Sequence, residues 1–125
     1  MDVLRRVYEA LAPGGTILDL RSVPPPARVE VDGEVLGELD ESAFFPRSHH
    51  NGEALADLAR EGLLKRTAED AHTMLIVYPT GRDLVDDVAG WGDTKVPAAL
   101  ATRLLPLEGE CSIREFCLAR AYRKP

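Results

Sequence analysis

The sequence predicts an α/β fold: a small three- or four-stranded mixed sheet with helices packed against it. Three observations carry that expectation. Val3, Leu4, Val7, Tyr8 and Leu11 recur at helical spacing across residues 2–12. Residues 16–20 and 73–78 are short, nearly continuous apolar runs, the pattern of strands covered on both faces. Segments with a helical stripe lie between and after these runs, so helices and strands alternate along the chain.

The 125 residues suit a single domain, with no repeat, linker or low-complexity tract. A hydrophobic share of 45% and a charged share of 29% are those of an ordinary globular chain. The formal net charge of −6 argues against nucleic acid or an anionic membrane as partner. No apolar run approaches a membrane span and the first six residues lack a signal-peptide core, so a cytoplasmic location is expected. Cys111 and Cys117 fall on one face of the last strand, about 20 Å apart, too far for a bridge within it. They read as buried free thiols, and no metal site is expected.

Taken in order, the first helix stops at Pro13, which cannot continue the helical ladder, and Gly14-Gly15 supply the turn into the strand at 16–20. Pro24-Pro25-Pro26 then interrupts regular structure. Alternation in Arg28-Val29-Glu30-Val31, the Asp32-Gly33 turn and the return through Glu34-Val35-Leu36 give a hairpin. Its acidic character predicts a flap at about 27–39, either simply solvated or a lid over whatever lies beyond Asp19. Asn51 reads as the N-cap of a helix whose stripe is Ala54, Leu55, Leu58 and Ala59, closed by Gly62. Residues 64–67 suggest a short strand, and 73–78 a central one. A helix carries Leu84, Val85 and Val88, and another begins at Val96-Pro97 with Leu100, Leu104 and Leu105 buried. Residues 112–122 form the last strand, with Ile113, Cys117, Ala119 and Ala121 on one face and Phe116, Leu118 and Tyr122 on the other.

Few side chains suggest chemistry. In open α/β sheets ligands gather beyond the carboxyl ends of strands, which brings Asp19, Arg21 and Ser22 into view. Asp19 and Arg21 either reach into a pocket or pair at the strand end. Ser48-His49-His50-Asn51 is the most reactive-looking cluster, since imidazoles bind metals and move protons near neutral pH. Adjacent histidines point apart and no second ligand pair accompanies them, so a polar loop ahead of a helix cap is the plainer reading. Trp91, between two glycines, packs between helices or stacks on a ligand. The serines and cysteines have no positioned base.

The helix ending in Leu11-x-Pro13-Gly14-Gly15 before Thr16-Ile17-Leu18-Asp19-Leu20 resembles the unit that opens the fifth strand of class I S-adenosylmethionine-dependent methyltransferases. The helix over 53–60 and then Glu61-Gly62-Leu63 match what precedes the family's sixth strand, and the inserted helices and last strand follow in order. The resemblance implies the C-terminal half of a Rossmann-like fold, whose last, antiparallel strand slots between the fifth and sixth. It covers the whole chain but only that half of the family. The acidic glycine-rich loop that holds the cofactor has no counterpart here.

What the resemblance implies is a methyltransferase-like half-domain, a non-catalytic binding or assembly module or one part of a split enzyme, with no cofactor bound by this chain alone. The alternative is a self-sufficient small-molecule methyltransferase using S-adenosylmethionine, with a site near Asp19, Arg21, His49 and His50. A remnant whose upstream coding region was lost is a third reading. The strand at 16–20 lacks the family's fourth strand as a neighbour, which implies either a homodimer or a separate cofactor-binding partner chain.

Overall fold

The last strand of the chain is the axis of the fold. The computed structural model describes residues 3–125, so the helix start expected at Asp2 lies outside the described residues. Its elements are α1 (Val3–Ala10), β1 (Thr16–Ser22), β2 (Arg28–Val31), β3 (Glu34–Glu38), α2 (Phe44–Arg60), β4 (Lys65–Tyr78), α3 (Gly81–Ala89), α4 (Ala98–Leu104) and β5 (Cys111–Arg123). β4 pairs with β5 along its whole length, from Lys65 opposite Arg123 to Tyr78 opposite Cys111. The other edge of β5 is shared: β1 takes its C-terminal half and β2 its N-terminal end, and β3 extends the sheet from β2.

Three or four strands in a mixed sheet are therefore corrected to five, every pairing antiparallel. β1 and β4 do run in one direction, because both oppose β5, but β5 lies between them. The hairpin is not a flap. Asp32 and Gly33 both take positive φ, 52° and 80°, the two-residue turn that Asp-Gly favours. β2 then joins the sheet, and Ala27, Val29 and Leu39 are buried in the main core.

Two cores lie on opposite faces of the sheet, at opposite ends of β5. Cys111 and Ile113 point to the face covered by α3 and α4, where Leu84, Val88, Leu100 and Leu104 pack with Val29 and Tyr78. Tyr122 points to the other face, where Leu55 and Leu64 close over it with Leu4, Tyr8, Ile17 and Leu58 at the margin. The alternation in β5 feeds both cores, because neighbouring residues point to opposite faces. Thr80 caps α3 by accepting from the Asp83 N–H at 3.2 Å. Cys111 and Cys117 are buried and free, as expected.

The remaining surface departs from expectation at both apolar strands. β4 is an edge strand, and nearly all of its 14 residues are exposed. It runs continuously through residues 68–72, where charged and small side chains conceal a strand whose partner is far away in sequence. β1 is covered on one face only: Ile17, Asp19 and Arg21 lie under the helices, whereas Leu18 and Leu20 are 68% and 69% exposed. Among the described residues no helix is long and apolar enough to cross a membrane.

Leu104→Ala empties a fully buried site and should cost about 2–5 kcal/mol of stability. Leu18→Ala, on the bare face, should stay within about 0.5 kcal/mol. Urea titrations of both variants check the assignment of buried and bare faces.

Candidate functional site

The sequence-predicted residues gather unequally where the end of β1 meets the start of α2. That helix begins at Phe44, well before the expected cap at Asn51. Pro46 conceals the start, yet a proline in the first turn removes an N–H that has no intrahelical acceptor. Ser48, His49, His50 and Asn51 are thus consecutive helical residues, neighbours about 100° apart around the axis: the two histidines diverge, whereas Ser48 and Asn51, three positions apart, share a face and line one cleft. Ser48 faces β1: its carbonyl accepts from Arg21 Nη1 at 3.0 Å, and its hydroxyl donates to the Ser22 carbonyl at 3.2 Å. His49 and His50 are exposed, and no group of three or more metal-ligating side chains occurs among the described residues.

Arg21 is held on three sides. Its Nε lies 3.4 Å from Asp19 Oδ2, its Nη1 bonds Ser48, and its guanidinium fills the space where a side chain on Gly52 would stand. Any Cβ there would land on the guanidinium, so a larger residue at position 52 must displace the end of the Arg21 side chain. Asp19 Oδ2 and Arg21 Nε are buried without a hydrogen-bond partner, so the two groups meet as an ion pair of imperfect geometry. Asp19 and Arg21 pair with each other at the end of β1, and both also border a cleft.

Two clefts flank this anchor. One, of about 490 Å³, is lined by Arg21, Ser22, Phe45, His49, Leu118 and Arg120 among others. The second, of about 440 Å³, runs beside Asp19, Leu20, Arg21 and Ser22 and is walled by Phe44 and Arg47. The structure thus brings Arg21 and His49 to one cleft and Asp19 to its neighbour, and His50 lines neither. Trp91 is half-buried against the main core, the packing role.

Sequence reasoning missed two buried carboxyls. Glu41 accepts the Ala27 N–H at 2.9 Å, and Glu115 lies 3.5 Å from the Ser22 hydroxyl. Burial pushes both carboxyls above the usual carboxylate range, and for Glu41 the charge of Glu115 adds to it. Burial likewise pushes the Cys117 thiol up, away from the thiolate a nucleophile needs. Glu115 was legible in principle, since it occupies a core position in the row Cys111, Ile113, Glu115, Cys117; Glu41 gives no such signal. A third carboxyl, Glu30, accepts from Arg114 Nε at 2.9 Å and Arg28 Nε at 3.0 Å, and Arg114 holds it below the usual range.

These groups can bind and orient. Among the described residues no imidazole is hydrogen-bonded to a serine or cysteine, and burial raises both cysteine thiols. No family model, curated protein or solved structure matches the chain.

Two outcomes follow from this geometry. Gly52→Ala should displace Arg21 and cost about 1–3 kcal/mol by overpacking, read by thermal unfolding. The second concerns pH. A carboxyl whose folded pKa lies above its unfolded value near 4.5 favours the fold while protonated and loses that contribution as pH rises through the folded value. Wild type should therefore lose stability relative to Glu115→Gln as pH rises from 4 to 8. Parallel pH profiles of the two proteins would show that Glu115 titrates normally.

Proposed function

We propose that this chain is a methyltransferase-like half-domain, acting as an assembly module or as one part of a split methyltransferase. The supporting observation is topological. β1 and β4 run in one direction, α2 lies between them in sequence, and the antiparallel β5 sits between them in the sheet. That arrangement is what the resemblance at Pro13-Gly14-Gly15 and Gly62-Leu63 implies for the C-terminal half of the family. The acidic glycine-rich loop is not in these 125 residues, so the chain alone binds no S-adenosylmethionine, and a cofactor-binding half comes from an adjoining segment or a separate chain.

A self-sufficient enzyme centred on Asp19, Arg21, His49 and His50 has one observation in its favour, the shared cleft of Arg21 and His49. It is the weaker reading, because Arg21 is already engaged by Asp19 and Ser48 and His50 stands apart.

Calorimetric titration with S-adenosylmethionine separates the two. The half-domain should give no saturable heat, and a dissociation constant in the low micromolar range would establish a self-sufficient binder instead. Reading the coding DNA upstream of Met1 and in neighbouring genes tests the family itself. An Asp/Glu-x-Gly-x-Gly stretch after a predicted strand is the expected finding, and its absence from all of them would count against the half-domain.

A further inference from the structure

β1 ends the sheet on one side, and its backbone shows which groups are left over. The Val23 N–H donates to the Phe116 carbonyl at 2.8 Å, and the Lys124 N–H donates to the Gly15 carbonyl at 3.0 Å. Residues 15, 17, 19, 21 and 23 therefore turn their backbone groups toward β5, since the direction alternates along an antiparallel strand. Thr16, Leu18, Leu20 and Ser22 turn theirs outward. The Ser48 hydroxyl, donating to the Ser22 carbonyl, lies on that outward side. A cleft of about 440 Å³ runs alongside residues 19–22, walled on its far side by Phe44, Arg47, Asn51 and Asp93.

The same strand bares Leu18 and Leu20 on the face opposite α2. Ala119 and Ala121 of β5 lie beside them, and Ala68 of β4 beyond. A strand that pairs with the outer edge of β1 sets its own side chains beside Leu18 and Leu20 on the same face of the sheet. The outer edge of β4 is blunted over its first half by Lys65, Arg66, Glu69, Asp70 and a register shift between Arg66 and Ala68. Neither β1 from Thr16 to Leu18 nor β4 from Thr73 to Val77 has such protection, but β1 carries the Asp19–Arg21 pair beside its exposed leucines, so its charges can select a partner and a register.

We propose that β1 pairs antiparallel with β1 of a second copy of this chain, across a two-fold axis at Leu20. The charges select this register. With the axis at Asp19, two carboxylates would stand directly opposite each other, which is destabilising. With the axis at Leu18, Asp19 would face Ile17 of the copy. With the axis at Leu20, Asp19 faces Arg21 of the copy and Arg21 faces its Asp19. These are the closer, non-hydrogen-bonded pairs of the ladder. Leu20 meets Leu20, and Leu18 exchanges backbone hydrogen bonds with Ser22, whose carbonyl has a second lone pair beside the one Ser48 uses. The ion pair left imperfect within one chain gains an opposite charge across the seam. The seam is also electrically neutral, which matters for a chain carrying −6. The pairing stands on the sheet alone, whichever reading of function holds.

Sedimentation velocity over a concentration series tests it. The wild-type chain should be a dimer. Leu20→Asp and Leu20→Lys each set two like charges together on the axis and should weaken the dimer roughly a hundredfold or more. Their circular dichroism should be unchanged, since Leu20 is exposed. Mixing the two variants should restore the dimer, because Asp then meets Lys. Val35→Asp, on the exposed β3, should leave it intact. A monomeric wild type would give this edge to a different chain and overturn the proposal. So would a dimer that survives Leu20→Asp, a mixture that stays monomeric, or a dimer lost in Val35→Asp.

Discussion

The pairing of β4 with β5 is the constraint on which everything else depends. It fixes β5 in the middle of the sheet, with one edge used along its full length and the other divided between β1 and β2. Each backbone hydrogen bond contributes about 1 kcal/mol net, but the larger effect is positional. A one-residue slip would turn Cys111 and Ile113 out of the main core and Tyr122 out of the second. Both cores read the same alternation from opposite ends, so neither can change register without the other.

Two cores on opposite faces leave two quadrants of the sheet uncovered. One holds Leu18, Leu20, Ala119 and Ala121; the other holds Phe116, Leu75 and Val77. Each quadrant adjoins a free strand edge, β1 for the first and the second half of β4 for the other, and the first also has the Asp19–Arg21 pair beside that edge. Single exposed apolar residues need no explanation, but a leucine pair beside an unpaired edge departs from what isolated sheets tolerate. The polar groups nearby reinforce the contrast. Glu30 is matched by two arginines, and Glu41 by a backbone N–H, while Asp19 and Arg21 meet without a satisfactory hydrogen bond.

The helices and turns were legible because their signals are local. Asp32-Gly33 in the hairpin and Gly62 after α2 each act through their own backbone conformation, and each appears where expected. The start of α2 was hidden because Pro46 resembles a break, although its missing N–H costs nothing in a first turn. The candidate site was half legible. Asp19 and Arg21 are at the end of β1 as their position implies, but the histidine cluster dissolved once its backbone became helical.

By itself, the sequence determined the α/β class, the order of most elements, the alternating faces of the last strand and the thiols that stay buried. These follow from periodicity and turn chemistry, which act over a few residues. Tertiary structure alone decided that the hairpin joins the sheet, that β4 lies at an edge and that β1 is bare on one face. An apolar run records only that burial is possible. Which of its faces is covered depends on residues far away in sequence, and among the described residues no element covers Leu18 and Leu20.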